Sequence, residues 1–258
     1  MRVTQQSTQQ HWDRIYQNVG DRYQLYLYQP QLVEVLEQVA ERVPGGMVLE
    51  VGCGKGNELL ECAKRGLRCV GIDFSEEALH LLRKRVEEKQ LSVMLLRADT
   101  RSLPFADNSF DIVFSQGVLE HFRDPQAVLQ EQFRVLRPGG YIIVEVPNRW
   151  TLYTIYKKVL MALRRWAPGW ETEYSPRELR AMLEAQRFVV TDLVGWDFLL
   201  LKVYRKIRRW IGVKDRAENT LQRFFRRSLQ RNPLLLYFFE SITVVAQKPD
   251  LGFSQEHS

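Results

Sequence analysis

Val48-Leu49-Glu50-Val51-Gly52-Cys53-Gly54-Lys55-Gly56-Asn57-Glu58-Leu59 joins a short apolar run carrying an acid to three glycines on alternate positions, with helix-forming residues after them. That order predicts a buried strand, a tight loop and a helix start. Glycine reaches positive φ and admits a ligand where a Cβ would block it. The N–H groups at a helix start favour an anionic or carboxylate-bearing ligand. The stretch therefore predicts a nucleotide-type site at the carboxyl end of a first parallel strand. Its spacing is E-x-G-x-G-x-G, because Asn57 follows Gly56, and not the G-x-G-x-x-G of a dinucleotide fingerprint. A tight turn without any ligand would use the same glycines, so the residues downstream decide.

A chain of 258 residues suits one α/β domain with elaborations, and 45% hydrophobic with 26% charged residues excludes wholesale disorder. Residues 1–10 are polar and glutamine-rich and predict no signal peptide. No apolar run approaches the roughly 18–20 residues that span a bilayer. The expected location is the cytoplasm. Cys53, Cys62 and Cys69 lack C-x-x-C spacing and histidine co-ligands, so they read as reduced thiols, with neither a metal nor a disulfide expected.

The alternation continues past the loop. A helix or two is expected over 1–46, where Leu32, Val35, Leu36 and Val39 recur at helical spacing before Pro44-Gly45-Gly46. Its aromatics, among them Trp12, Tyr16, Tyr23, Tyr26 and Tyr28, read as packing, or as part of a helix closing over the glycine loop. Arg68–Asp73 is a second strand ending in an acid roughly 17 residues past Gly56, near the ~20 at which an acid reaches ribose hydroxyls. Ser75-Glu76-Glu77 caps the next helix. Ser92–Asp99, Asp111–Ser115 and Tyr141–Val146 follow as strands three to five, with a helix from Asp124-Pro125 ended by Arg137-Pro138-Gly139-Gly140. Glu50, Asp73 and Asp99 thus stand at the ends of three successive strands. Such an order means a doubly wound, Rossmann-like parallel sheet.

Glu50–Gly56, Gly71–Ser75, Arg97-Ala98-Asp99, Leu103-Pro104-Phe105, Ser109–Val113, Leu119-Glu120-His121 and Leu136–Gly140 together resemble a class I S-adenosylmethionine-dependent methyltransferase. They are most similar to the subgroup that includes the ubiquinone and menaquinone biosynthesis methyltransferases. The resemblance covers about residues 47–147 in the family's order. It implies a seven-stranded sheet with the last strand antiparallel, for which Phe188–Val194 and Ile242–Ala246 are the sixth and seventh candidates. It implies S-adenosylmethionine as cofactor. Gly52, Gly54 and Gly56 would cradle its methionine part, with Glu50 nearby. Asp73 would take the ribose hydroxyls and Phe74 would flank the adenine. Asp99 would accept from the adenine amino group beside Thr100, and Ser115 and Gln116 would face the sulfonium. Carboxylates accept only, which matches hydroxyl and amino donors.

The resulting division is one methyltransferase domain over 1–258. It comprises an N-terminal helical cap over 1–46, a cofactor-binding core over 47–148, and basic amphipathic insertions over 149–173 and 199–238 that build a substrate lid. The first insertion places Leu152, Ile155, Tyr156, Val159, Leu163 and Trp166 on one helical face, with Lys157, Lys158, Arg164 and Arg165 on the other. The second interleaves Leu199, Leu200, Val203, Tyr204, Ile207 and Ile211 with Lys202, Arg205, Lys206, Arg208 and Arg209, and Arg223, Arg226, Arg227 and Arg231 follow. Such helices suit an anionic membrane surface or a lipid-linked acceptor, and equally pack on the domain with solvated cations. No RNA-binding module is recognisable, so nucleic acid is not the expected partner.

The expected reaction is methyl transfer to a small or lipid-linked acceptor at oxygen or carbon. His121, just past strand four, is the candidate general base, with His11 and Tyr174 behind it. Two alternatives stay open: an NAD(P)-dependent oxidoreductase, and a non-catalytic S-adenosylmethionine-binding protein associated with membrane.

Overall fold

The computed structural model describes residues 8–19, 30–163, 165–166, 170–198 and 226–250. Tyr23, Tyr26, Tyr28, Arg164 and the 199–225 part of the second insertion lie outside the described residues.

Seven strands form one sheet: β1 (Met47–Val51), β2 (Arg68–Asp73), β3 (Val93–Arg97), β4 (Phe110–Gln116), β5 (Leu136–Pro147), β6 (Val189–Phe198) and β7 (Phe239–Gln247). Their order is β3-β2-β1-β4-β5-β7-β6. Pairing is parallel from β3 to β5, while β7 runs antiparallel to both β5 and β6. The helices are α1 (Gln9–Val19), α2 (Pro30–Ala40), α3 (Asn57–Lys64), α4 (Glu76–Glu88), α5 (Gln126–Val135), α6 (Leu152–Ala162) and α7 (Pro176–Ala185). Among the described residues no helix is long and apolar enough to cross a membrane.

The strands' two-residue period divides the core into two layers. Leu49, Val51, Val70, Ile72 and Val113 pack on one face with Val128 and Leu129 of α5 and Leu179 and Leu183 of α7. Val48, Cys69, Ile112 and Phe114 pack on the other with Leu36 of α2, Leu59 of α3 and Leu79 of α4. The same alternation turns Glu50, Asp73 and Gln116 toward the second face. The site is built there.

Local chemistry fixes the helix starts. Ser75 accepts from the Ala78 N–H at 3.2 Å, and Ser175 with Glu178 completes a reciprocal capping box ahead of Pro176. At the other end α5 stops at Val135, earlier than its Pro-Gly-Gly suggests. Leu136 already pairs with Phe110, and the next pair is Ile112 with Tyr141, so Arg137–Gly140 bulge out of the ladder. Arg137 closes that bulge on both oxygens of Asp111 at 2.8 and 2.7 Å. The last two strands extend beyond the sequence reading, because β6 and β7 pair as far as Phe198 and Phe239.

A Cβ added at Gly195 of β6 would overlap the Phe239 ring on β7. Gly195→Ala is therefore expected to lower stability by about 1–3 kcal/mol. An unchanged urea midpoint would contradict this packing.

Candidate active site

A cleft of about 670 Å³ opens at the carboxyl ends of β1, β2 and β4, within the size range of ligand sites. The glycine loop forms its floor. Gly52, Gly54 and Gly56 have φ of 71°, 48° and 60°, a left-handed turn that L side chains rarely adopt. At Gly54 there is a second constraint, because a Cβ there would lie 2.6 Å from the Tyr16 hydroxyl. Cys53 N–H donates to the Ile72 carbonyl at 2.8 Å, which lashes the loop to β2.

Asp73 fixes the loop from the opposite side. One oxygen accepts from the Gly54 N–H at 2.9 Å and the other from the Ser75 N–H at 2.9 Å. Burial pushes its carboxyl up to about 6, against these backbone hydrogen bonds, which lower it. Glu50, also buried, is pushed well above the usual carboxylate range, first by desolvation and then by repulsion from Glu58 and Asp73. Asp99 differs. Arg101 grips both its oxygens, with Nε at 3.0 Å and Nη2 at 2.6 Å, and holds its carboxyl below the usual value. The Arg101 guanidinium also lies 5.9 Å over the Phe122 ring.

Three buried polar atoms of residues on the cleft wall have no hydrogen-bond partner among the described residues: Glu50 Oε2, Thr100 Oγ1 and Gln116 Nε2. Buried polar groups are normally satisfied. An acceptor, a hydroxyl and a donor from three different segments of the cleft lining are thus left unsatisfied.

Of the residues expected at the site, Glu50, the three glycines, Asp73, Phe74, Asp99, Thr100, Gln116 and His121 line the cleft. Ser115 does not. It is buried, and strand alternation sends it to the face opposite Gln116. His11 and Tyr174 are also absent from the wall, although Tyr174 is buried and its hydroxyl is pushed up to about 12, chiefly by desolvation. The sequence reading gave α1 no definite part here, yet Trp12 and Tyr16 line the cleft. Their i, i+4 spacing beside Asp13 was the available signal. Asp13 reaches across to accept from the Ser75 hydroxyl at 2.6 Å. Arg101, two residues past Asp99, carried no signal beyond its proximity.

His121 sits at the far wall in a short 3-10 turn, Leu119–His121. Its ring meets Trp12 edge-on with centroids 5.0 Å apart, and Nδ1 lies 3.4 Å from the Trp170 carbonyl oxygen. Burial pushes the imidazole below its usual value, with Glu171 opposing the shift. Residues 170–174 strap this wall in place: Thr172 N–H donates to the Glu120 carbonyl at 2.8 Å and Tyr174 N–H to that of Pro147 at 3.1 Å.

Behind the strap, Lys157 of α6 is fully buried between Glu171 at 2.8 Å and Glu173 at 2.9 Å. Burial alone would depress its ammonium, but the two carboxylates outweigh that and hold it above the usual lysine value. Trp166 Nε1 also donates to Glu171, at 3.1 Å. The sequence reading put Lys157 on the helical face opposite the apolar residues, and the structure buries it there, against the alternative in which those cations are solvated. Among the described residues no group of three or more histidine, cysteine or acidic side chains could hold a metal ion.

A family profile described as a methyltransferase domain matches residues 49–144. The chain is 34% identical over 169 residues to a probable S-adenosylmethionine-dependent methyltransferase of Mycolicibacterium smegmatis, covering 62% of this chain and 59% of that one. It is 34% identical over 179 residues to the ubiquinone biosynthesis O-methyltransferase of Hahella chejuensis, covering 66% and 75%. The chain spans 57–59% of the length of the first curated relatives it matches. In fold it is similar to the geranyl diphosphate C-methyltransferase of Streptomyces coelicolor, solved with magnesium, geranyl diphosphate and S-adenosyl-L-homocysteine. That likeness has a TM-score of 0.60 at 16% identity and covers 85% of this chain and 79% of that one.

Replacing Lys157 with methionine leaves Glu171 buried without its cation and Glu173 with only the exposed Lys158, at 3.4 Å. The expected loss is about 3–5 kcal/mol in urea unfolding. A loss below about 1 kcal/mol would mean that the pair does not hold the strap.

Proposed function

This chain belongs to the class I S-adenosylmethionine-dependent methyltransferase family, and we propose that it moves a methyl group from S-adenosylmethionine to oxygen or carbon of a small or lipid-linked acceptor. The observation that carries the reading is the chemistry of the cleft wall. Glu50, Glu58 and Asp73 are buried acids, and Glu58 and Asp73 both repel the charged form of Glu50. A cationic ligand relieves that repulsion, and S-adenosylmethionine brings both an ammonium and a sulfonium. A nicotinamide dinucleotide brings a diphosphate, which would add to the repulsion. The unsatisfied atoms of Glu50, Thr100 and Gln116 suit a ligand that carries ammonium, hydroxyl and carboxylate groups.

In this reading Glu50 and the Gly52–Gly56 loop hold the methionine end. Asp73 takes the ribose hydroxyls, Phe74 flanks the adenine, and Asp99 with Thr100 holds its edge. Asp99 keeps Arg101 and still has lone pairs for a second donor. Gln116 faces the sulfonium region, with Ser115 supporting it from behind the strand. Helix α1 caps the cleft, while α6 and residues 170–173 form the lid.

The bound cofactor supplies an electrophilic methyl carbon. The chain aligns the acceptor, excludes water and takes a proton when the acceptor is a hydroxyl. His121 is the base. Burial pushes its imidazole toward the neutral form that can take a proton, and Nδ1 lies against the Trp170 carbonyl oxygen. The name of the Hahella relative supports oxygen as the attacked atom. Three buried free thiols suit a reducing compartment and so the cytoplasm.

Methyl-labelled S-adenosylmethionine offered with quinol, catechol and lipid-linked hydroxyl acceptors tests this reading. Label should enter an acceptor as S-adenosylhomocysteine forms, and His121→Asn should lower kcat by about 10²–10⁴-fold. Formation of no S-adenosylhomocysteine with any acceptor would favour a non-catalytic binding protein. Cofactor affinity should also rise as pH climbs through about 6, because ribose hydroxyls donate to the ionised form of Asp73, and binding should release a proton there. A binding enthalpy independent of the buffer near that pH would remove Asp73 from the ribose site.

A further inference from the structure

Helix α6 is inside out. Its polar residues Thr154 and Lys157 are buried, whereas Leu152, Ile155, Tyr156, Val159 and Leu163 are 52–64% exposed, and Trp150 just before it is 64% exposed. These positions recur at three- and four-residue intervals and so share one outward face. The anchoring explains the inversion. Thr154 donates to the Asn148 carbonyl at 2.6 Å, Thr151 caps the helix through the Thr154 N–H at 3.1 Å, and Lys157 is gripped by Glu171 and Glu173. Hydrogen bonds and ion pairs hold the inner side, and among the described residues the apolar side is left exposed.

A surface helix of a soluble domain turns its apolar stripe inward, and contiguous exposed apolar patches mark sites of interaction. The charge beside this one selects the partner. The sequence of α6 contains no acidic residue, Arg165 is exposed beside the apolar face, as is Lys158, which pairs with Glu173 at 3.4 Å, and the chain carries a net charge of +6. A second copy would set these cations against their own kind. An anionic bilayer offers acyl chains to the apolar stripe, phosphates to the cations, and a headgroup layer to Trp150 and Tyr156.

A second apolar outcrop shares the same anchor. Leu234 and Phe238 are exposed, and the Asn148 amide donates to the Leu236 and Phe239 carbonyls at 2.8 Å each. Asn148 therefore ties both apolar segments to the end of β5, on the edge of the sheet where the cleft opens.

We propose that the exposed face of α6 docks the protein on an anionic lipid surface, with Trp150, Leu152, Ile155, Tyr156, Val159 and Leu163 seated in the headgroup–acyl boundary. The strap that follows α6 bears on His121, so this docking turns the lid end of the cleft toward the bilayer. The proposal stands apart from the methyltransferase reading, since lipid binding is read without turnover.

The test is cosedimentation of the full chain with vesicles of phosphatidylglycerol and phosphatidylcholine, and with phosphatidylcholine alone. The variant is Ile155→Gln with Val159→Gln, two exposed sites whose change leaves the core intact, as an unaltered thermal melt verifies. The wild type should bind the anionic vesicles, less so as salt rises, and the variant should bind about tenfold or more weakly. Three results would overturn the proposal: a wild type that stays in the supernatant at low salt, a variant that binds equally well, or a wild-type dimer that the variant splits with no change in vesicle binding. Titration of the same variant with S-adenosylmethionine reads the cleft separately, so failure of docking and failure of the cofactor reading remain distinguishable.

Discussion

One buried carboxylate connects two loops on which the cleft depends. Asp73 ends β2 and accepts the Gly54 N–H from the first loop and the Ser75 N–H from the second. Without a fixed acceptor there, neither backbone donor has a partner in the described hydrogen-bond pattern, and a buried unpaired N–H costs about 1–3 kcal/mol. The bond also sets the position of Gly54 against Tyr16 and of Ser75 against Asp13, so α1 is drawn over the floor. Desolvation of the carboxylate works against this arrangement, and the backbone donors offset it. A cationic ligand nearby would offset it further.

Much of this was legible in the sequence because it is local. Alternate glycines, acids at strand ends, and the Ser75 cap ahead of Glu76 and Glu77 each act within a few residues of themselves, so spacing alone reveals them. The β-strand period is also local, but it must be counted from the burial of the whole strand. Ser115 and Gln116 look equivalent as neighbours at the end of β4, and only the packing of Val113 and Phe114 on opposite faces tells them apart. What stayed hidden depends on distant partners. Lys157 reads as a surface cation until Glu171, 14 residues on and outside any helix, is brought against it.

The same contrast explains α6. Amphipathic periodicity says that a helix has two faces, but not which one the tertiary structure keeps. Here ion pairs and threonine hydroxyls hold the polar face. The desolvation of Lys157 is tolerable because two carboxylates and an indole N–H complete the network. Burying that network orients the strap at His121 and simultaneously leaves an apolar surface outside. Active-site geometry and surface chemistry are thus two consequences of one buried cluster.

The central claim is that the cleft is a site for S-adenosylmethionine, selected by the acids of its wall. Calorimetric titration of the purified chain with S-adenosylmethionine, beside NADH and NADPH, tests it most directly. The account predicts saturable binding of S-adenosylmethionine and none of either dinucleotide. Binding of a dinucleotide with no response to S-adenosylmethionine would contradict it.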